Sequence, residues 1–258
     1  MAGDWRADVA SYYDLAPNHP ADVPFYLSLL ESSSASLLEL GCGTGRVTTH
    51  LAAHADFVLG VDNSRAMLDI CRRKLTEAGV PASCYALVEG DITDLRLHRK
   101  FDLIVAPFRV LQHLSTDEDV AGLMRSIKEH LEPAGTAVLN AFRPKRDAAG
   151  MLRDWPSEQA ELAWEVEDGD TVVRSYDHRL RVQEDPLVLF KKLIYRRFRG
   201  DEQVDEAVLK IAMRCYYPED LLALVESAGF IVKGKWGGYS GESYGVGPEL
   251  VAAFGHAG

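Results

Sequence analysis

Leu37-Leu38-Glu39-Leu40-Gly41-Cys42-Gly43-Thr44-Gly45-Arg46-Val47 reads as a short buried strand that runs into a glycine turn and opens a helix. Glycines at positions 41, 43 and 45 leave the backbone without Cβ atoms, so a small molecule can lie directly against the chain. The first N–H groups of the following helix then point at its negative end. A dinucleotide fingerprint, G-x-G-x-x-G, needs its third glycine where Arg46 stands, which weakens a nicotinamide reading.

Downstream, the pattern alternates between element types. A helix is expected over residues 44–54, a strand over 57–62, a helix over 64–78 with Asn63 or Ser64 as its cap, and a strand over 84–88. Residues 91–100 read as a loop, 101–107 as a near-continuous apolar strand, and Ser115-Thr116-Asp117-Glu118 as a capping box. The helix it opens shows Val120, Leu123, Met124, Ile127 and Leu131 at helical spacing, and Gly135 is expected to stop it before a fifth strand over 136–141. Strands buried on both faces and separated by helices imply a parallel sheet wound on both sides. Pro218-Glu219-Asp220 and Gly229 bracket a last helix, and residues 230–235 and 249–254 read as an antiparallel pair finishing the sheet.

Residues 144–216 break this regularity with alternating, β-rich sequence. Three or four antiparallel strands are expected, near 162–166, 171–182, 188–199 and 208–216, with a hairpin turn at Glu167-Asp168-Gly169-Asp170. In the second of them Val172, Arg174, Tyr176, His178, Leu180 and Val182 share a face expected to look inward. Leu209, Ile211, Met213 and Cys215 form another apolar alternation, by which the insert can cover something. Ahead of the first strand stand Trp5, Tyr12, Tyr13, Phe25 and Tyr26, with Pro17-Asn18-His19-Pro20 separating a short helix from a second one ending near Glu31. These aromatics either pack on the body or close over the ligand site.

With 258 residues, 47% apolar and 26% charged, the chain has globular statistics and length for one large domain with an insert. A formal charge of −11, spread without a long acidic block, disfavours a nucleic-acid partner. No apolar run approaches membrane-spanning length and the Met1 end has no apolar signal core, so no membrane partner is expected and the cytoplasm is the expected compartment. Cys42, Cys71, Cys84 and Cys215 form no C-x-x-C pair, which suggests neither a disulfide framework nor a metal site.

Four segments stand in a telling order: Glu39-Leu40-Gly41-Cys42-Gly43-Thr44-Gly45, Gly60-Val61-Asp62, Gly90-Asp91-Ile92 and Phe101-Asp102-Leu103-Ile104-Val105. With them the chain resembles the class I S-adenosylmethionine-dependent methyltransferases, firmly over residues 37–143 and more loosely over 217–254. The resemblance implies an α/β, Rossmann-like, doubly wound sheet of seven strands, mostly parallel with the last antiparallel. The chain is expected to divide into an N-terminal helical lid over 1–35, a core over 36–143 and 217–258, and an antiparallel β insert over 144–216 that carries no motif of that family, covers the active site and offers a homo-oligomer contact. The cofactor would be S-adenosylmethionine and its product S-adenosylhomocysteine. Asp62 can accept both ribose hydroxyls through its two oxygens. The resemblance gives Asp91 the adenine amino group and the Ile92 N–H a ring nitrogen, and lays residues 41–45 along the amino acid tail, whose carboxylate Arg46 meets unless it is a solvated surface arginine. Tyr13, Glu39, Asn63, Met67, Gly90, Ala106 and Leu111 complete the expected cofactor set.

Methyl transfer from a sulfonium asks mainly for alignment of donor and acceptor. An amine acceptor must be neutral, which burial or a nearby base can secure. His113 either takes that proton or serves as a structural bridge to the next helix, while Tyr12 and Tyr13 can close the site and offer a hydrogen bond or a ring face. Ala106-Pro107-Phe108-Arg109 stands where methyltransferases of nucleobase amines carry a D/N-P-P-Y/F cluster, which disfavours a nucleobase. The tyrosine pair, His113, the insert and the 237–247 tail are similar to small-molecule N-methyltransferases of antibiotic pathways, including those that dimethylate amino groups of nucleotide-linked sugars, although Arg109 departs from the small or polar residue expected there. Expected acceptor contacts are Phe108, Arg109, Arg174, Tyr176 and His178. Arg174, Arg179, Arg181, Lys191, Lys192, Arg196, Arg197 and Arg199 make the insert locally basic; they either form a solvated face or their arginines hold a phosphate or carboxylate of the substrate. The expected activity is methylation of an amine of a small-molecule metabolite; an O-methyltransferase and a non-catalytic S-adenosylmethionine-binding module are the alternatives.

Overall fold

A computed structural model of the chain describes residues 4, 6–17, 21–30 and 35–257. Trp5, residues 18–20 of the proline break and the expected helix end at Glu31 lie outside the described residues. Two short helices come first, α1 (Ala10–Tyr13) and α2 (Val23–Ser28). Then β1 (Ser36–Leu40), α3 (Thr48–Ala52), β2 (Phe57–Asp62), α4 (Arg65–Glu77), β3 (Tyr85–Glu89), β4 (Phe101–Ala106), α5 (Asp117–His130) and β5 (Leu131–Phe142) alternate along the chain. After α6 (Ala148–Asp154) and the strands β6 (Glu161–Asp168), β7 (Thr171–Gln183), β8 (Val188–Arg199) and β9 (Glu202–Arg214), the chain closes with α7 (Pro218–Ser227), β10 (Phe230–Trp236) and β11 (Glu249–His256).

The seven-stranded sheet has the order β10-β11-β5-β4-β1-β2-β3, with β1 to β5 parallel and β11 antiparallel to both of its neighbours. Alternate residues of each strand feed opposite layers, which is why the strand sequences are apolar throughout. Leu38, Leu40, Val61, Ile104 and Leu139 pack with Leu123 and Ile127 of α5 and Leu221 and Val225 of α7. On the other face Leu37, Val58, Leu103, Val105 and Val138 pack with Tyr26, Leu51, Cys71 and Leu75. Each such burial contributes about 1.5–3 kcal/mol. The sheet is therefore a rigid frame, and its growth reverses direction at β1, between β2 and β4. Ligands of such folds sit outside the carboxyl ends of the strands at that switch point.

A separate four-stranded antiparallel sheet follows the order β6-β7-β8-β9. Its inner face, with Val173, Tyr195, Ala207, Leu209, Ile211 and Met213, packs against Val9 and Tyr12 of the N-terminal segment.

Several expectations are corrected. The helix expected from residue 44 begins only at Thr48, because positive φ at Gly43 and Gly45 holds the chain in a turn to that point. The capping box sits one residue later: Thr116 is the cap, its hydroxyl accepting from Asp119 N at 3.1 Å and donating to Asp119 Oδ2 at 2.6 Å. Gly135 does not stop α5, which ends at His130; it lies inside β5, where a Cβ would meet Leu131 Cδ1 at 2.8 Å. Helix α6, capped by Asp147 accepting from Gly150 N at 2.8 Å, was not anticipated in a seven-residue segment that contains a glycine. β9 starts at Glu202 rather than near 208, since its first five residues are exposed and show no apolar alternation.

The face expected to look inward on β7 is also reversed. Thr171, Val173 and Ser175 are buried, and Arg174 and Tyr176 belong to the opposite face. A bulge between Arg179 and Arg181 then shifts the register, so that Val182 returns to an apolar cluster with Leu189 and Cys215.

Candidate active site

The glycine turn spans the carboxyl end of β1, tied down where Gly41 N and Cys42 N donate to Val61 O at 2.8 and 3.0 Å. All three glycines have positive φ, but for different ends. A Cβ on Gly41 would stand 2.6 Å from Val110 Cγ2 and one on Gly45 2.4 Å from Cys71 Sγ, so these two permit close packing. A Cβ on Gly43 would meet nothing within 4 Å, so it borders open space.

That space is a cleft holding about 930 Å³, walled by the ends of β1, β2 and β4. Asp62 is buried in it, with Oδ2 accepting from Gly43 N at 2.8 Å and Oδ1 from Ser64 N at 2.9 Å. Each oxygen keeps a further lone pair, so the carboxylate is fixed in place and can still accept from a vicinal diol. Asp91 lines the far end with Gly90 and Ile92, its Oδ1 accepting from Thr93 N at 2.8 Å and from the Thr93 hydroxyl at 2.7 Å. A bare glycine floor flanked by two acids suits a nucleoside with a cationic tail.

Glu39, 2% exposed, accepts from the Thr48 hydroxyl at 2.7 Å. Burial pushes its carboxyl up to about 8, against the opposing pull of that hydrogen bond and of Arg46. The folded protein therefore keeps a proton here that the unfolded chain has released above its ordinary value of 4.5, and stability falls as pH rises from that value to about 8. Glu39→Gln is expected to be roughly 2–4 kcal/mol more stable than the parent at pH 8.5 and nearly equal at pH 4.5. Denaturant titrations at the two pH values check this; parallel stability–pH curves would remove the assignment.

Three aspartates of the N-terminal segment grip the elements around the cleft. Asp4 accepts from the Ser64 hydroxyl at 2.9 Å and from Ala66 N at 3.0 Å, Asp14 from the Thr44 hydroxyl at 2.7 Å with Lys74 Nζ 2.6 Å away, and Asp22 takes the Arg46 fork at 2.5 and 2.8 Å. Arg46 lines the cleft, but it is neither a solvated surface residue nor uncommitted. Tyr13 also lines the cleft, its hydroxyl pushed up to about 12 mainly by burial.

A second cavity of about 680 Å³ adjoins the cleft, and Arg6, Tyr13, Phe108 and His113 line both. Its other walls are Met67, Arg109 and the inner face of the insert: Lys191, Leu193, Tyr195, Leu209, Ile211 and Met213. At the junction Phe108 and Arg109 both have left-handed φ, 55° and 69°. Non-glycine residues hold such backbone only when their surroundings impose it. Here Arg109 N donates to Asn140 Oδ1 at 2.8 Å, its guanidinium to Glu249 at 2.6 Å, and Asn140 Nδ2 to Glu249 at 3.1 Å. Phe108 then meets Tyr13 edge to face, 6.3 Å between centroids. Burial pushes the His113 imidazole down to about 3, with Arg6, Lys191 and Arg109 adding to the effect, so it stands neutral.

The structure thus gathers Tyr13, Glu39, Gly41, Cys42, Gly43, Thr44, Arg46, Asp62, Asn63, Gly90, Asp91, Ile92, Phe108 and His113 around one cleft. Other expected site residues fall elsewhere. Gly45 packs on Cys71, Met67 lines the second cavity, and Ala106 and Leu111 are buried in the sheet core. Tyr12 is not at the site: its ring stacks on Tyr195 at 5.3 Å, its hydroxyl donates to Asp205, and it anchors the N-terminal segment to the insert. Arg174, Tyr176 and His178 are on the outer side of β7, where Arg174 pairs with Glu165 at 2.5 Å and Arg196 lies over the Tyr176 ring. The insert's arginines 174, 179, 196, 197 and 199 each pair with an acid, and Arg197 also lies over the Tyr12 ring, so these arginines are neutralised within the protein. Arg6 is an unexpected member of the site, and Lys191, expected only as part of the insert's basic run, interrupts the inward row Leu189, Leu193, Tyr195.

The chain is similar to known proteins in sequence and in fold. Residues 37–135 match the family model described as a methyltransferase domain. A dTDP-3-amino-3,4,6-trideoxy-α-D-glucopyranose N,N-dimethyltransferase of Streptomyces venezuelae is 32% identical over 54% of this chain and 59% of its own length. A dTDP-3-amino-3,6-dideoxy-α-D-glucopyranose N,N-dimethyltransferase of Streptomyces fradiae is 26% identical over 79% of this chain and 77% of its own. The chain thus spans about three fifths of the length of the first of these relatives. Among solved structures, the CcbJ methyltransferase of Streptomyces caelestis superposes with a TM-score of 0.77 at 24% identity, covering 99% of this chain and 98% of that one, which establishes the shared fold.

Proposed function

We propose that this chain, whose residues 37–135 match a methyltransferase domain, is a class I methyltransferase that transfers a methyl group from S-adenosylmethionine to an amine nitrogen of a small-molecule metabolite. The observation that carries the reading is the junction of two cavities at Tyr13, Phe108 and His113. One cavity has the floor and acids for the cofactor, and the other, mostly apolar and aromatic, is large enough for a small acceptor. Two relatives named as amino-sugar N,N-dimethyltransferases support nitrogen as the target.

Bound in the cleft, S-adenosylmethionine supplies a methyl group already activated on a sulfonium. Asp62 and Asp91 would hold the nucleoside end, Glu39 and the glycine turn the amino acid end, and the Tyr13–Phe108 pair would exclude water at the junction. Burial holds the imidazole of His113 down at about 3, so it would keep an abstracted proton only weakly, which argues against a general base. It accepts a hydrogen bond from the acceptor N–H and so aims the nitrogen lone pair. His113→Ala is expected to slow turnover roughly five- to tenfold, the value of one neutral hydrogen bond, with little change in cofactor affinity. The parent's turnover–pH profile should show no inflection from this residue near 6.5; a limb there that disappears in the variant would restore the base.

The N-terminal segment would act as a cover held down by its three aspartates. A panel of small amines and hydroxylated compounds, followed by S-adenosylhomocysteine release and product mass, tests the acceptor. Amines are expected to react; turnover with hydroxyl acceptors alone would mean an O-methyltransferase, and tight cofactor binding without turnover on either class a non-catalytic module.

A further inference from the structure

The acceptor cavity has an electrostatic character that its apolar walls conceal. Among the described residues Arg6, Arg109 and Lys191 line it and no carboxylate does, Arg109 being tied back to Glu249. Of the six residues that the insert contributes, Lys191 is the one with a charge. It occupies an inward position of β8 between Leu189 and Leu193, where the alternation calls for an apolar side chain. Its Nζ is 2.7 Å from Asp177 Oδ2 on the neighbouring strand, while Asp177 Oδ1 is buried with no hydrogen-bond partner among the described residues. A partly buried pair of this kind adds little stability over two well-packed apolar residues. Its presence in the wall is better explained by a ligand. An ammonium carries three donors, and the contact with Asp177 uses one.

We infer that the acceptor carries an oxyanion, a carboxylate or a phosphate, close to its reactive amine, and that Lys191, aimed by Asp177, is the residue that selects it. This rests on the second cavity being the acceptor site. The anion belongs near the junction of the two cavities, because Lys191 lines the second cavity together with His113, which also lines the cleft. An anion there would also make room for the positive charge that develops on nitrogen during transfer.

The test is calorimetric, on the protein loaded with S-adenosylhomocysteine, with benzoate, phenyl phosphate and benzyl alcohol as probes. At least one anion should bind more tightly than the alcohol, and which one identifies carboxylate or phosphate. Lys191→Met should weaken that anion roughly ten- to a hundredfold, as expected for a lost charge-assisted hydrogen bond, and leave the alcohol unchanged. Lys192→Met, which removes the same charge from the outward position next to it, should change nothing. If Lys191→Met does not fold, Lys191→Arg should keep anion binding within about threefold while Lys191→Gln loses it. Equal anion affinity in the parent and the Lys191 variants, or no preference for an anion over the alcohol, would overturn the inference. Because the readout needs no turnover, failure of amine methylation would leave this result standing, and the reverse.

Discussion

Asp62→Ala is expected to weaken S-adenosylmethionine binding by about 1.5–3 kcal/mol, or roughly ten- to 150-fold, through loss of charge-assisted hydrogen bonds to the ribose. The residue is 3% exposed and already holds two backbone N–H groups, those of Gly43 and Ser64. Truncation leaves both donors without their partner, so stability should fall as well, by about 1–3 kcal/mol. Asp62→Asn separates the effects. Its amide oxygen still accepts one of the two backbone bonds, but the charge and the second acceptor are gone, so folding should recover in part and cofactor affinity should not. Calorimetry and thermal melting on both variants make the comparison. Parent-like affinity in a folded alanine variant would detach Asp62 from the cofactor.

Gly45→Val should cost about 3 kcal/mol or more of folding stability, while Gly43→Ala should cost only about 1–2 kcal/mol, the strain of a left-handed residue with a side chain. Both positions have positive φ, 78° and 54°, so backbone strain alone does not distinguish them. Surroundings do. Beside Gly45, a Cβ would lie 2.4 Å from Cys71 Sγ and 3.3 Å from Cys71 Cα, and helix α4 must shift to admit it. Beside Gly43 there is open cleft, so a methyl group enters the space meant for the cofactor. The expected pattern is therefore crossed: Gly45→Val fails as a fold, and Gly43→Ala folds but loses cofactor. Melting temperatures with and without S-adenosylmethionine read both, and a Gly43→Ala protein stabilised by the cofactor as much as the parent would contradict it.

The sheet and the cofactor cleft were legible in the sequence because both rest on local signals. Apolar runs separated by capped helices dictate the parallel strands, and the acids at Asp62 and Asp91 fall at strand ends whose edge is set by topology. The insert was legible as strands but not as faces. In β7 an arginine and a tyrosine alternate with valines on both sides, so parity alone cannot choose the buried side, and the bulge after Arg179 switches it partway along. Tyr12 and Tyr13 are adjacent aromatics on one short helix; only the docking of Tyr12 on Tyr195 sends one to the insert and leaves the other at the cleft. Arg46 drew its partner from Asp22, a residue in a region where the sequence offers little periodicity. Long-range pairings of this kind have no local signature.

A crystal structure with S-adenosylhomocysteine and a methyl-accepting amine bound tests the central claim most directly. The account predicts ribose hydroxyls on Asp62, adenine beside Asp91 and Ile92, and the amine in the second cavity with its nitrogen facing the sulfur past His113. A nucleoside bound away from Gly43 and Asp62, or an acceptor reaching the sulfur by a route that leaves the second cavity empty, would contradict it.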